Sequence, residues 1–476
     1  VQSIMVKILM LSDSPTTCTG YATIATNIMN GLAELGHECH YQAHNYVGQT
    51  VPPGMKFEDG RELKFTLYGQ GKEAYAKDVI VPRIRELKPD IFIVLLDTFM
   101  LYQTGYLNLD FAPAKTIFYF PSDGGGALPL RCEEILKKFH VPVAMAKFGQ
   151  EQALTVHGIK TEYIPHAIDQ NVYFPLGKEQ REILKAKYGL QGKFVFGSVY
   201  RNQGRKMADR MFKAFAKFAK GYKKCTCGIE FDSRELECPI QSKYKKKIIE
   251  LENTVKRLQE NTSPGQEELI ILKRQLNSLN EYKKEYEEKI DLKHTIKLVK
   301  GNEDAILFCH SDPYDGAAVF DSMELIKRLG IENRVRFSGM TFFKGFDYKQ
   351  MNEVYNVMDV FTLSTSGEGF GVPTIEAMGC GIPCVVTDFT TTQELLIERG
   401  VCGLAVPCCA NLTGSWNVER GIVDVDKLAE AYQMMYDSPT MREEMGRIGI
   451  EKIDKFYNWD TVIKDWDKLV RKMVNE

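Results

Sequence analysis

The chain has 476 residues, enough for two or three domains with substantial buried cores. Lysine and arginine total 61 against 63 aspartate and glutamate, a formal charge of −2. That balance excludes the basic excess of a dedicated nucleic-acid or anionic-membrane binder. With 44% hydrophobic and 26% charged residues, the composition is that of a folded globular protein. No apolar run approaches the ~18–20 residues of a transmembrane segment. The apolar start, Ile4 to Leu11, is short, contains Lys7 and lacks a small-residue cleavage site, so it reads as a first strand. Twelve scattered cysteines suit a reducing, cytoplasmic setting.

In chain order, Val6 to Ser12 is a buried-strand pattern followed by a loop, Asp13 to Gly20. A helix then carries Ile24, Ile28, Leu32 and Leu35 on one face and stops at Gly36. Strand-like runs recur at His37 to Ala43, Ile91 to Leu96, Thr116 to Phe120 and Val141 to Ala146, with helical stretches such as Tyr75 to Leu87 between them. A second series starts at Phe194 to Val199 and resumes at Ala305 to His310, Val335 to Gly339, Val360 to Ser364 and Pro383 to Thr387. This alternation predicts an α/β chain of two Rossmann-like, doubly wound domains with parallel sheets. Residues 1–175 form the first domain, joined by an amphipathic C-terminal helix at 459–476 (Val462, Trp466, Leu469, Met473), and 176–458 form the second. Tyr163-Ile-Pro-His-Ala-Ile-Asp169 and Phe174-Pro175 connect them.

Residues 222–300 break the alternation. They are highly charged and carry two heptad-like runs, Ile248, Leu251, Val255, Leu258 and Leu269, Leu272, Leu276, Leu279. Asn261-Thr-Ser-Pro-Gly265 separates them, with Ser263 as a helix cap, Pro264 at the first helical position and Gln266 closing a capping box. The segment therefore predicts an antiparallel helical hairpin, or coiled coil, inserted into the second domain as a solvated arm or a surface for self-association or a partner.

The chemistry concentrates in Ser364-Thr-Ser-Gly-Glu-Gly-Phe-Gly-Val-Pro-Thr-Ile-Glu-Ala-Met-Gly-Cys-Gly-Ile-Pro383. A strand ends at Ser364, a glycine-rich loop follows, and Pro373 starts a short helix. Gly369 and Gly371 allow close backbone approach, and the N–H groups of the helix start suit a diphosphate. Glu368 and Glu376 flank it and are best used to accept hydrogen bonds from sugar hydroxyls, one on a transferred sugar and one on a ribose. This reading requires an open cleft before the turn and glutamates free of ion pairs.

Glu368-Gly-Phe-Gly-Val-Pro with Glu376, an E-x7-E block, resembles the signature of retaining glycosyltransferases of the GT-B fold, specifically glycosyltransferase family 4. Gly197-Ser-Val-Tyr-Arg-Asn-Gln-Gly-Arg-Lys206 is similar to the family's phosphate-binding stretch and maps its Arg and Lys onto Arg201 and Lys206. Leu329 to Gly339 resembles the strand leading to the nucleotide-base pocket near Ser338 to Thr341, and Ile164 to Asp169 the interdomain segment. The resemblance implies transfer of a hexose from a UDP-, GDP- or ADP-sugar to an acceptor hydroxyl, with retained anomeric configuration and no catalytic metal. It implies donor binding by Gly20, Arg201, Lys206, Glu368, Gly369, Phe370, Gly371 and Glu376. Catalytic roles fall to Glu368, Arg201, Lys206 and Asp123. The last stands in the loop Tyr119 to Gly126, where family members often carry a His that is missing here. Such enzymes are commonly discussed as front-side substitution, so no covalent nucleophile is named.

Two further patterns lie outside that site. Cys225, Cys227 and Cys238, with Cys309 as a fourth ligand, suggest a structural zinc site at the root of the insertion. Asp424-Val-Asp426 is the cap of a helix and not a metal motif. Lys220, Lys223, Lys224 and Lys243 to Lys247 form a basic cluster, but neighbouring glutamates and the neutral total weigh against a nucleic-acid acceptor. The alternatives to a transferase are a nucleotide-sugar epimerase on the same fold and a coiled-coil scaffold with a vestigial sugar site.

Overall fold

The computed structural model describes the chain except residues 1–3, 18, 58–60, 126–132, 228, 233–237, 261–264, 292–295 and 342–344. It divides into a large unit, Val1–Ala214 with Asp304–Glu476, and a small one, Phe215–Glu303.

The large unit holds two parallel sheets. The first contains β1 (Lys7–Ser12), β2 (Glu38–Ala43), β3 (Thr66–Tyr68), β4 (Ile91–Leu95), β5 (Lys115–Phe120), β6 (Val141–Ala144) and β7 (Glu162–Tyr163), in the order β3-β2-β1-β4-β5-β6-β7. The second contains β8 (Phe194–Val199), β9 (Ala305–His310), β10 (Val335–Phe337), β11 (Val360–Leu363), β12 (Cys384–Thr387) and β13 (Gly403–Val406), in the order β10-β9-β8-β11-β12-β13. Both are doubly wound. Each therefore has a switch point, between β1 and β4 and between β8 and β11, where ligands bind beyond the strand ends.

Alternation inside the apolar runs explains why these strands are buried on both sides. Ile8 and Met10 of β1, Ile91 and Ile93 of β4 and Ile117 and Tyr119 of β5 share one core. Their neighbours Leu9, Leu11, Phe92, Val94, Phe118 and Phe120 enter the core on the opposite face. Helix α1 (Gly20–Glu34) starts where the Thr19 hydroxyl accepts the Ala22 N–H, and it buries Ile24, Ile28 and Leu32 against the first sheet. In the second sheet β11 leads through Ser364 to Gly371 into α2 (Val372–Gly379). The last helix, α3 (Trp459–Asn475), returns to the first sheet, where Val462, Trp466, Val470 and Met473 complete its core. A Cβ on Gly31 of α1 would fall 2.5 Å from the Ile463 side chain, so the two helices lie in close contact.

The small unit contains an antiparallel three-stranded sheet with Gly221–Cys225 between Glu230–Asp232 and Ile296–Lys300. The sequence reading missed it, because strands such as Gly221-Tyr-Lys-Lys-Cys225 lack a clear apolar alternation. Helices Pro239–Gln259 and Gln266–Glu285 pack through Leu251, Val255 and Leu279, with Ile248, Leu272 and Leu276 beside them. Leu269 is 50% exposed and lies outside that contact. Ser263 and Pro264, the expected cap and first helical residue, lie outside the described residues. Gly265 is the N-cap, and its N–H is accepted by Glu268 at 3.2 Å, so Glu268 takes the place expected of Gln266. Among the described residues no helix is long and apolar enough to cross a membrane.

Trp466 is fully buried and meets the Tyr119 ring edge-on at 4.9 Å. Trp466→Ala is expected to destabilise the chain by about 3–5 kcal/mol, read as a lower midpoint in urea unfolding. A shift near zero would show that α3 adds nothing to the first core.

Candidate functional site

β8 and β11 release their chains side by side at the second switch point. Backbone bonds fasten the two exits together: Ser366 N–H donates to the Arg205 carbonyl at 2.7 Å, and Ser364 Oγ donates to the Met207 carbonyl at 2.9 Å. The turn Gly204–Lys206 ends at Met207, in the left-handed region at φ 47°. This geometry puts two cations on one carboxylate. Lys206 Nζ donates to Glu368 Oε1, and Arg205 Nη1 donates to Glu368 Oε2 at 3.2 Å and to the Gly367 carbonyl at 3.1 Å. Lys206 and Glu368 are 7% and 8% exposed.

The electrostatics of this triad are lopsided. Burial works to raise the Glu368 pKa, but Lys206 and Arg205 outweigh it and hold the carboxyl at about 2. Burial, and then repulsion from Arg205, pushes the Lys206 ammonium down to about 8 in spite of Glu368. Three cations, Arg205, Lys206 and Arg420, face two acids, Glu368 and Asp123, and the cationic excess is one that an added anion would relieve.

Glu376, two turns away in sequence on α2, is in the opposite condition. It is half-buried and accepts from the Tyr355 hydroxyl at 2.6 Å. Burial raises its pKa to about 7, with hydrogen bonds from Tyr355 and Tyr173 acting the other way.

The loop after β5 closes over the turn. Gly125 and Glu419 exchange backbone hydrogen bonds of 2.9 Å each. A Cβ on Gly367, whose φ is 148°, would stand 2.0 Å from the Asp123 carbonyl oxygen, and one on Gly369 would stand 2.8 Å from Pro121 Cβ. Asp123 itself faces Arg420 at 3.1 Å and Arg205 at 4.0 Å. The expectation of an open cleft with unoccupied glutamates is therefore corrected. The turn is covered, Glu368 is ion-paired, and Glu376 is hydrogen-bonded to tyrosine.

The other expected residues divide. Gly371, at φ 101°, is the N-cap of α2 and needs a glycine there. Phe370 is 2% exposed and lies edge-on to His166 at 4.8 Å and Tyr457 at 5.9 Å, so its side chain anchors the loop in the core. Arg201 donates to Asp315 at 2.9 Å, whereas its neighbour in the loop, Arg205, joins Glu368. Gly20 opens α1 with space around its Cα. Asp424 caps its helix as expected, accepting from Asp426 and Lys427 N–H at 2.8 and 3.0 Å. Cys225, Cys227 and Cys238 bring their sulfurs within 4.8 Å of one another in the small unit. Cys309 is buried inside β9 beside Tyr200 and is not in that group.

Sequence reasoning missed Arg205, Arg420 and Asp97. Asp97 directly follows the β4 exit at the first switch point, the position that could have marked it. Tyr21 donates to it at 2.8 Å, and burial pushes its carboxyl up to about 6. Arg205 was masked by the adjacent Lys206, and Arg420 lies in a β-hairpin with no motif of its own.

Because Glu376 is protonated more readily in the fold than its ordinary value of 4.5, its contribution to stability is full below about pH 4.5. That contribution is lost as pH rises through about 7. Glu376→Gln should abolish the loss: near-neutral at pH 4.5, stabilising on the order of 2 kcal/mol at pH 8 by urea unfolding. A variant less stable than the parent at pH 8 would contradict this.

Comparison with known proteins bears on the same segments. Residues 292–414 match the family model "Glycosyl transferases group 1". A stretch of 64 residues is 41% identical to mannosylfructose-phosphate synthase of Agrobacterium fabrum, covering 13% of each chain. Another of 91 residues is 37% identical to N-acetyl-alpha-D-glucosaminyl L-malate synthase of Bacillus anthracis, covering 19% of this chain and 21% of that one. The chain thus spans 13% and 21% of the length of these curated relatives. In three dimensions it is similar to Anabaena HepE, crystallised with UDP-glucose, with a TM-score of 0.63 at 13% identity over 98% of this chain and 100% of that one. Twin doubly wound sheets and the likeness to HepE show the GT-B fold, and residues 292–414 within it match a glycosyltransferase family model.

Proposed function

We propose that the chain moves a hexose from a nucleoside-diphosphate sugar to an acceptor hydroxyl with retention of anomeric configuration. The observation that carries this reading is the surplus of cations, Arg205, Lys206 and Arg420 against Glu368 and Asp123, at the strand exits of the second switch point. A diphosphate arriving there draws Arg205 and Lys206 onto its oxygens. Glu368 is then released from its ion pairs and accepts hydrogen bonds from the sugar hydroxyls. The covered turn fits this exchange if the loop 121–125 parts from Glu419 to admit the donor. The UDP-glucose bound by HepE belongs to the donor class proposed.

In the transfer, the bond between the anomeric carbon and the phosphate oxygen breaks, and its electron pair departs with the diphosphate. The acceptor oxygen bonds to the same face of that carbon and passes its proton to the departing phosphate oxygen. Arg205 and Lys206 stabilise the charge growing on the phosphate from positions set before the reaction starts. Glu376 serves the ribose. Residues 176–458 form the donor side; residues 1–175 with 459–476 form the acceptor side, where Asp123 and Asp97 stand nearest the reacting sugar. Arg201, held by Asp315, sits at the rim of the phosphate site.

Incubation with radiolabelled UDP-, GDP- and ADP-sugars is expected to yield hydrolysis or transfer with at least one donor. The anomeric proton coupling of the product should report retention. Lys206→Ala and Arg205→Ala should each lower kcat by about 10²–10³, and Arg201→Ala by less. Inertness toward every donor, or an unchanged Lys206→Ala rate, would defeat the reading.

A further inference from the structure

The small unit has two minor apolar clusters among its described residues. One is the helix pair around Leu251, Val255 and Leu279; the other consists of Cys225 and Cys238, with Ile229 and Ile240 packed on them. A unit of this size with so thin a core is of the kind stabilised by a covalent or metal staple.

Three separate elements deliver the thiols. Cys225 ends the central strand, Cys227 follows in the turn toward Glu230–Asp232, and Cys238 is the N-cap of the helix Pro239–Gln259. Cys225 and Cys238 are buried and Cys227 is exposed. All three sulfurs lie within 4.8 Å of one another, and those of Cys227 and Cys238 are 3.6 Å apart. Tetrahedral zinc with Zn–S bonds of about 2.3 Å spaces its sulfurs by roughly 3.8 Å, whereas a disulfide requires about 2.04 Å.

We infer that Cys225, Cys227 and Cys238 bind one zinc ion that fastens the three-stranded sheet to the start of the helix pair. The fourth corner of the tetrahedron is open among the described residues, and Cys309 does not fill it. Soft thiolate donors select zinc over the hard cations that oxygen ligands hold. Binding releases the thiol protons to solvent and leaves the oxidation state of metal and sulfur unchanged.

The test uses the full chain. Purified protein, equilibrated with stoichiometric zinc and passed over a chelating resin, should retain one zinc per chain by elemental analysis. Cobalt in its place should give thiolate-to-metal charge-transfer absorption and tetrahedral d–d bands. Cys227→Ser removes an exposed ligand with little risk to folding and should weaken zinc at least about tenfold. Cys409→Ser, an exposed thiol elsewhere, should change nothing. Limited proteolysis should cut between 222 and 300 faster once a strong chelator strips the metal. The inference falls if the parent protein retains no zinc and gives no cobalt spectrum. It also falls if Cys227→Ser holds zinc as tightly as the parent, or if zinc-loaded protein contains a Cys227–Cys238 disulfide by mass spectrometry. None of these readouts depends on a sugar donor.

Discussion

The arrangement of the second domain's strand exits turns on one electrostatic constraint: a buried carboxylate held between two cations. Burying Glu368 with Lys206 costs desolvation that a hydrophobic pair of equal volume would not incur, so the cluster is poorly explained as a device for stability. It is better explained by what it prepares. Under the proposed transfer the buried Lys206 ammonium, already stripped of water, meets a phosphate in a low-dielectric setting where its attraction for an anion is greater than at the surface. Hydrogen bonds from the Ser366 N–H to the Arg205 carbonyl and from Ser364 Oγ to the Met207 carbonyl hold the cation-bearing turn against the glycine-rich loop.

Topology supplies this constraint twice over. The same strand order in both sheets puts a switch point at the exits of β1 and β4 and another at the exits of β8 and β11. The second gathers Arg205, Lys206 and Glu368; the first gathers Tyr21 and Asp97. Asp123 and Arg420 link the two groups, with Arg420 reaching the Asp123 carboxylate while Asp123 stands within ion-pairing range of Arg205. The return of α3 to the first core binds the end of the chain to its beginning, through Trp466 against Tyr119.

Much of this was legible because the signals were strong and local. Apolar runs buried on both faces mark the parallel strands, and Pro373 and Asp424 mark helix starts by simple local chemistry. The motif Glu368 to Glu376 marks the candidate site. What escaped were contacts that depend on how two loops face each other. Arg201 and Arg205 are four residues apart in a loop rich in polar residues, and only the turn at Gly204–Lys206 decides that Arg205 reaches Glu368 while Arg201 reaches Asp315. Phe370 is assigned to the donor site by the resemblance of its motif, and its ring packs in the core against His166 and Tyr457. Cys309 was joined to the other cysteines by count alone, and its place in the middle of β9 was the observation needed to separate it.

The two glutamates of the E-x7-E block show how far side chains of the same type can diverge within one turn and helix. Glu368 is kept ionised by cations, at about 2, whereas Glu376 is pushed to about 7 by burial among tyrosines. A single motif therefore holds one permanent anion and one carboxyl that changes charge near neutrality. The permanent anion can be displaced from its partners only by a stronger one, which makes its release conditional on a phosphate. The titrating one requires no such competitor, because Tyr355 already supplies the hydrogen bond that a hydroxyl ligand would offer. The two carboxyls of one motif thus differ in charge behaviour through their surroundings rather than their residue type.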